Sequence, residues 1–445
     1  MKVKFGEKVA YALGDFSNNS AYLFVSTYII SFLTIGMGLS GTQAGTIILI
    51  VTIFDAINDV VIGSLVDKGH GRGTTYTKIM RMAVIPVAVL MVLLFSSPSF
   101  SLTAKIVYAL IIYAIYTIAQ TSYQVPFGAL SSAMTDDTAE RISLGAYRDW
   151  GANVGSFVVN TFASMLILKF GGGEMSTRGF FYSALVVGIL LVIGGMIPAF
   201  VCKERVPVVD SQEAGFKEGI KAYVKNRNAV IPTIIVCMVN CALVVRASFT
   251  VYYASYALGN PGLISPILSV MSLVPLVGIF FIPALTVKLD RKIMFSLAGV
   301  FMILAGIIEL LGSGLTASMI GSLCCGFALC CSITVTWGAI PDIADYGEYL
   351  TGVYSPSVCY STLTFVMKAA VAIATYSLGN ILDTIGFDAN NVTDQAINGI
   401  SFWYGVFPII FGIVALISAM FFNLSSKRLE EVHAELAIRH GKTKA

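Results

Sequence analysis

Two aspartates interrupt an apolar stretch near the start of this 445-residue chain, in the sequence TIFDAINDVVIG. Asp55 and Asp59 are four residues apart, so a helix would place them on one face with Asn58 close by. Carboxylates held this close in a poorly solvated place repel each other unless a cation lies between them. Carboxylate and amide oxygens are also the ligands that hard cations prefer. The spacing therefore allows a cation site, and it equally allows a structural pair with Lys368 or Arg148.

Other charged residues also lie inside long apolar stretches of the sequence. A charge near the middle of a bilayer costs at least about 2.5 to 3.5 kcal/mol, so each such residue needs a charged partner or a water-filled cavity. The full set is Asp15, Asp55, Asp59, Arg148, Arg246, Glu309 and Lys368.

The composition explains why these charges stand out. The chain is 56% hydrophobic and 12% charged, whereas a soluble domain has about 25% charged residues. Apolar runs of the roughly 20 residues that cross a bilayer recur along nearly its whole length. We therefore predict an all-α polytopic membrane protein. The net charge of +3 argues against a nucleic-acid partner, and the eight cysteines sit in apolar segments as packing residues rather than metal ligands.

Twelve helices are predicted from the apolar runs and their interruptions. The polar segment 202–228 divides the chain into a half at 1–201 and a half at 229–424, followed by a tail at 425–445. The predicted helices are 9–36, 41–66, 78–98, 103–130, 144–169, 179–201, 229–258, 265–288, 292–313, 315–340, 357–383 and 400–424.

The loops between the predicted helices differ in basic charge. Most lysines and arginines fall on the side that holds both termini and the central loop, and only Lys105, Lys169 and Arg178 fall in the opposite loops. Because basic loops stay in the cytoplasm, we expect cytoplasmic termini in a multi-pass plasma-membrane protein.

Charged turns recur at matching positions of the two halves. GSLVDKGHGRG follows the second helix and VKLDRK follows the eighth, a parallel repeat that resembles the major facilitator superfamily. The loop IPDIADYGEYLTG adds acidic residues after the tenth helix, and we interpret both sets as breakable cytoplasmic contacts. The predicted gating residues are Asp67, Lys68, Arg72, Asp342, Asp345 and Glu348.

Polar side chains concentrate in the helices that also carry charge, in GDFSNNSAYLF and YTIAQTSYQVPFGAL. Amides, hydroxyls and aromatic faces suit a polyhydroxylated ligand such as a sugar, although each residue alone could equally serve an interhelical hydrogen bond. The candidate substrate-binding residues are Asp15, Asn18, Asn19, Tyr123, Gln124, Arg148, Trp150 and Lys368.

Six short motifs together resemble the glycoside-pentoside-hexuronide:cation symporters: GDFSNN, FDAINDVVIG, VPFGAL, YR at 147–148, DIADYGEY and STLTFVMK. The resemblance runs through both halves and implies the major facilitator fold. It also implies a cation site at Asp55, Asn58, Asp59 and Thr121, with Na+ favoured over H+ or Li+. Lys368 would then link the ion site to the sugar site.

The presumed sugar site departs from the family's melibiose permease. Asn19 and Gln124 stand where that member has sugar-binding aspartates, and Gly128 stands where it has a tryptophan. The sequence is closer to the glucuronide and pentoside branch, in which Arg148 or Arg246 could meet a hexuronide carboxylate.

The expected function is cation-coupled import of a sugar or glycoside by alternating access, without a cofactor or enzymatic activity. We expect a monomer whose partners are the sugar, the cation and membrane lipid. Two alternatives stay open: a lysolipid carrier of the same superfamily, which would need an apolar cleft, and a sugar sensor without transport.

Overall fold

The fold is described by a computed structural model covering residues 2–71, 74–206, 216–312, 314–352, 356–389, 391–424 and 426–439. Within these residues the chain forms fourteen α-helices and no strand. They are α1 Phe5–Ser31, α2 Gly41–Gly71, α3 Tyr76–Leu94, α4 Leu102–Met134, α5 Thr138–Gly171, α6 Thr177–Val201, α7 Phe216–Lys225, α8 Arg227–Tyr252, α9 Ile264–Lys288, α10 Arg291–Leu311, α11 Leu315–Thr351, α12 Pro356–Thr384, α13 Asp394–Met420 and α14 Ser426–Arg439.

Twelve of these helices, α1 to α6 and α8 to α13, are long and apolar enough to cross a membrane, counted over the described residues. The predicted all-α polytopic class and the number of spans are therefore confirmed. The two short helices α7 and α14 lie in segments that the sequence predicted as central loop and tail. Short polar helices lack the apolar run on which that prediction depended.

The helix of the tenth span, α11, extends beyond its predicted end at residue 340. α11 continues to Thr351 and stops at Gly352, whose φ of +74° is the left-handed backbone that glycine adopts most easily. The prediction that Asp342, Asp345 and Glu348 lie in a loop is therefore wrong, because all three lie on α11. Their spacing of three residues brings them close to one helical face, which a reading by polarity alone does not reveal.

The first helix of each predicted half ends in a π-helical turn. α1 continues as Phe32–Gly36 and α8 as Tyr253–Ala257. The hydroxyl of Thr34, within the first turn, and that of Tyr252, just before the second, lie 2.7 Å apart in a hydrogen bond. π-Helical turns cost backbone hydrogen-bond geometry and often occur at functional positions, so their recurrence supports an internal repeat.

The chain folds into two compact units. The first unit contains Met1–Val209, Ala247–Leu276 and Ala372–Ser401, and the second contains Asp210–Arg246, Val277–Val371 and Phe402–Ala445. The first unit therefore holds α1 to α6 together with segments of four later helices.

In the first unit, α1 and α5 pack closely through small residues. A Cβ atom at Gly151 would lie 2.1 Å from the carbonyl oxygen of Ala12, and one at Gly155 would lie 2.5 Å from that of Phe16. The two glycines are four residues apart, the spacing at which helices approach each other most closely in membranes.

Replacing Gly151 by Ala should lower the thermal stability of the purified protein. The new methyl group would push the backbones of α1 and α5 apart, and overpacking of this kind costs about 1 to 3 kcal/mol. Gly145 lies on the same helix with open space around its Cα, so Gly145→Ala is the matched control and should not lower the melting temperature. Equal melting temperatures for the two variants would contradict the close packing of α1 on α5.

The start of α2 is held by two sets of hydrogen bonds. Ser40 and Gln43 form a reciprocal capping pair, with Gln43 Oε1 accepting from the Ser40 amide at 3.1 Å and Ser40 Oγ from the Gln43 amide at 3.2 Å. The Asp383 carboxylate from α12 accepts from the amides of Gly41 at 2.6 Å and Thr42 at 2.8 Å. We call this contact between Asp383 and the start of α2 the Asp383 clasp.

The beginning of the central loop is also fixed within the first unit. Glu204 accepts from the amides of Tyr76 at 3.1 Å and Thr77 at 2.8 Å, so it caps α3. Arg205 donates to both carboxylate oxygens of Glu7, at 2.8 and 2.9 Å. Burial raises the pKa of the neighbouring Cys202 thiol to about 12, so this cysteine remains protonated and unreactive at neutral pH.

Candidate ion and sugar site

The predicted ion ligands come together in the first unit, where α2 packs against α4. The Thr121 hydroxyl donates to Asp59 Oδ1 at 2.8 Å and to Asp55 Oδ1 at 3.3 Å. Asn58 and Thr121 are buried, whereas the two aspartates are half-buried. One hydroxyl on α4 therefore spans both carboxylates of α2.

The geometry makes the carboxylate pair electrostatically costly without a cation. Two oxygens bonded to the same hydroxyl at these distances are no more than about 6 Å apart. At an effective dielectric constant of about 20, two negative charges at this distance repel by roughly 3 kcal/mol. Asn58, the residue before Asp59, is buried, and its side-chain oxygen is the atom that could bind a cation. The site thus offers two carboxylates, an amide and a hydroxyl to a small cation.

Two other hydroxyls of α2 are satisfied within the helix. The hydroxyls of Thr46 and Thr52 donate to the carbonyls of Thr42 and Ile48, at 2.7 and 2.8 Å. Hydroxyls of this kind impose little burial cost because they bond to the preceding turn.

Two of the predicted sugar ligands instead join helices. Asn18 Oδ1 accepts from Gln120 Nε2 at 2.8 Å, which links α1 to α4. Asn19 Nδ2 donates to the carbonyl of Ala152 and the hydroxyl of Ser156, both at 2.7 Å, which links α1 to α5. The sequence left open that these residues form interhelical hydrogen bonds, and the side-chain amides of Asn18 and Asn19 do form them.

Asp15 and Arg148 form a polar pair between α1 and α5. Arg148 Nε lies 3.8 Å from Asp15 Oδ2, and the Arg148 side chain is 35% exposed. Gln124 on α4 is exposed. These three predicted ligands keep accessible polar surface that a substrate hydroxyl or carboxylate could use.

Tyr123 and Trp150 do not have the surroundings expected of sugar ligands. Tyr123 is fully buried, and its hydroxyl donates to the Gly195 carbonyl at 3.3 Å. Trp150 lines a groove of about 510 Å³ along α1 and α5, and its neighbours there are apolar or aromatic. Sequence gives residue type without the direction of the side chain, and direct sugar contacts of these two residues stay a prediction. The groove is lined among others by Val9, Leu13, Phe16, Tyr147, Trp150 and Val154.

The second unit contains a buried ion pair. Arg246 Nη2 donates to Glu309 Oε1 at 2.6 Å, and each side chain is 1% exposed. Arg246 also lies over the ring of Tyr404, 4.4 Å from its centroid. The suggestion that Arg246 meets a substrate carboxylate is corrected, since Glu309 already supplies that carboxylate. Lys368, half-buried on α12, also belongs to this unit.

The predicted gating residues are only partly described. In the second unit, Arg291 at the start of α10 forms an ion pair with Asp342, while Asp345 and Glu348 are half-buried further along α11. The side chains of Asp67 and Lys68 and the whole of Arg72 lie outside the described residues.

Comparison with known families places this geometry in context. The family described as MFS/sugar transport protein matches residues 10–426, which is most of the chain. The chain belongs to this major facilitator family. The sugar-symporter resemblance read from the helix motifs is thereby confirmed at the level of the family.

Two curated relatives and one solved structure agree with this family. The uncharacterized symporter YnaJ of Bacillus subtilis is 32% identical, over 98% of this chain and 96% of that protein. The isoprimeverose transporter of Lactiplantibacillus pentosus is 29% identical, over 100% and 93%. A bacterial homolog of the human lysosomal transporter Spinster shares the fold with a TM-score of 0.71 at 13% identity, over 97% and 99%. The MFS/sugar transport family member described here is therefore a multi-pass membrane transporter.

Two further polar residues of α4, Gln120 and Tyr116, are not among the site residues predicted from the sequence. Gln120 is buried with its Oε1 atom lacking a hydrogen-bond partner within the described ranges, and the buried hydroxyl of Tyr116 is in the same situation. Both lie on the α4 segment that carries Thr121, four residues or about one turn from each other. Gln120 lies four residues before the predicted ligand Gln124, and Tyr116 lies four residues before Gln120, so a search at helical spacing could have identified both.

Proposed function

We propose that this protein is a secondary transporter that moves a sugar or glycoside together with a monovalent cation by alternating access. The observation that carries the proposal is the Thr121 hydroxyl bonded to both Asp55 and Asp59. A carboxylate pair on a transmembrane helix needs a positive charge, and a mobile cation supplies one that can be released on the other side. We propose Na+ as this cation, since carboxylate, amide and hydroxyl oxygens are the ligands that hard cations prefer.

A charge count supports the coupling. Asp55 and Asp59 contribute two negative charges, and Lys368 and one bound cation would neutralise them. A neutral loaded centre crosses between orientations more easily than a charged one. Asn58 would complete the ion shell with its carbonyl oxygen.

The sugar would meet the residues that keep accessible polar atoms. We propose Asp15, Gln124 and Arg148 as direct contacts, with Asn18 and Asn19 holding the helices on which these contacts lie. The Arg148 guanidinium suits a hydroxyl or a carboxylate, which is compatible with a glycoside, a pentoside or a hexuronide. The relative named as an isoprimeverose transporter supports isoprimeverose as the first sugar to test.

The remaining features follow from the same mechanism. We propose that the halves at 1–201 and 229–424 alternate about a site near the middle of the plasma membrane, with both termini in the cytoplasm. The charged residues at 67–72 and 342–348 would form and break contacts at the cytoplasmic side during this change.

The test is the affinity for isoprimeverose, methyl xylosides and methyl glucuronides, measured by titration of the purified protein with and without NaCl at fixed pH. Coupling requires that sodium raise sugar affinity, and reciprocally that sugar raise sodium affinity by the same factor. Affinities that are identical at every sodium concentration and pH would exclude ion coupling. Binding without flux in liposomes would indicate a sensor instead of a transporter.

A lysolipid carrier is a second candidate, favoured by one observation: the apolar groove of about 510 Å³ beside Trp150. An acyl chain would fit such a surface better than a sugar would. Competition separates the two functions, because a lysophospholipid should displace bound sugar only if the two share a site.

A further inference from the structure

α4 carries the proposed sugar contact Gln124 and bonds to both α2, which holds the ion site, and α1, which carries Asp15. Thr121 faces α2, where its hydroxyl bonds to Asp55 and Asp59. Gln120, the preceding residue, faces α1, where its amide donates to Asn18 at 2.8 Å. Two adjacent residues of one helix therefore hold the two neighbouring helices.

The hydrogen bonds continue from α1 to α5. Asn19, next to Asn18, donates twice to α5, and Asp15 lies one turn before it beside Arg148. Gly155 brings the α5 backbone close to the Phe16 carbonyl, so a shift of α1 cannot be absorbed by slack between these helices.

We propose that Gln120 is a positioning residue that couples the ion site to the sugar site through its hydrogen bond to Asn18. The inference rests on the proposed function. It adds the contacts through which cation binding at the ion site changes the sugar site. A cation drawn in by Asp55 and Asp59 reorients Thr121, which moves the adjacent Gln120 and, through Asn18, the helix that carries Asp15.

The burial of the pair supports this role. Asn18 is 5% exposed and Gln120 is 6% exposed, so water does not compete for their hydrogen bond. Gln120 Oε1 is a buried acceptor without a hydrogen-bond partner within the described residues. Buried polar groups are normally satisfied, and one left over beside a proposed site is available to a ligand hydroxyl or an ordered water.

The test uses sodium alone as the probe, with hydrogen exchange of the full-length protein read by mass spectrometry in NaCl and in choline chloride. In the wild type, sodium should slow exchange in peptides of α2 and α4 and also in those of α1, by about fivefold for a modest coupling free energy. In Gln120→Leu, the slowing in α2 and α4 should persist and the slowing in α1 should disappear.

Two further variants separate coupling from folding. Asn18→Leu combined with Gln120→Leu removes both partners, which restores stability because no buried polar atom of the pair is left unpaired; the response of α1 should still be absent. Thr117→Val removes a buried hydroxyl that bonds within α4 and should behave as wild type.

The possible failures are distinguishable. Slowing in α1 that survives in Gln120→Leu, or that is absent from wild type while α2 and α4 respond, overturns the role of Gln120 and leaves the ion site standing. No sodium response in any peptide of the wild type overturns the sodium site itself, and with it the inference.

Discussion

Replacing Asp59 by Asn should abolish sodium-dependent stabilisation of the protein while leaving its fold intact. Asn has nearly the same shape and can still accept the hydrogen bond from Thr121, so the contact between α2 and α4 survives. What is lost is one of the two negative charges that attract the cation. Sodium at about 100 times its dissociation constant should stabilise the wild type by about 2.7 kcal/mol, and the variant by almost nothing.

Thermal unfolding in NaCl and in choline chloride at equal ionic strength measures this effect without knowledge of the sugar. The matched control is Asp290→Asn, because Asp290 caps α10 and Asn caps helices equally well. That control should keep its sodium response. In liposomes, Asp59→Asn should also lose accumulation driven by a sodium gradient. A normal sodium response in Asp59→Asn would refute the assignment, and a response to pH alone in the wild type would replace sodium by a proton.

The second large effect is expected at the buried ion pair. Replacing Glu309 by Gln should lower the free energy of unfolding by about 3 to 5 kcal/mol, because the buried Arg246 charge loses its carboxylate partner. The pair joins α8 to α10, and Glu309 also accepts from the Ser318 hydroxyl on α11 at 3.2 Å. Loss of one charge therefore disturbs three helices of the second unit.

The control for this prediction is the double variant Arg246→Met with Glu309→Gln. Removing both charges eliminates the uncompensated one, and buried pairs replaced by neutral groups are often close to neutral in stability. We expect the double variant to recover most of the melting temperature that the single variant loses. A single variant as stable as wild type would show that the pair contributes nothing to the fold.

The sequence predicted the spans well because their signal is long and uniform. Apolar runs of about 20 residues do not depend on tertiary contacts, so the twelve crossings were visible. α7 and α14 were missed because their polar composition resembles that of a loop, and α11 was cut short at Pro341 and the acidic residues that follow it.

Part of the candidate site was predictable from the sequence, and there is a physical reason why the rest was not. Asp55 and Asp59 sit four apart on one helix, so their shared face follows from helical geometry alone. Asn19 and Tyr123 are different, because their roles depend on which neighbouring helix each faces. The Asn19 amide bonds to the Ala152 carbonyl, and the Tyr123 hydroxyl bonds to the Gly195 carbonyl. The residue type alone does not distinguish these contacts from contacts with a sugar.

The Asp383 clasp has a consequence for genetic screens of this protein. Its partners on α2 are the main-chain amides of Gly41 and Thr42, which no ordinary side-chain replacement removes. A mutational scan along α2 would therefore detect this attachment chiefly at Gly41, where an added Cβ atom would lie 2.3 Å from the Gly379 carbonyl oxygen and 3.0 Å from Asp383 Oδ1. Beyond Gly41, a change at residue 383 itself, or a proline that deletes an amide hydrogen, would reveal it.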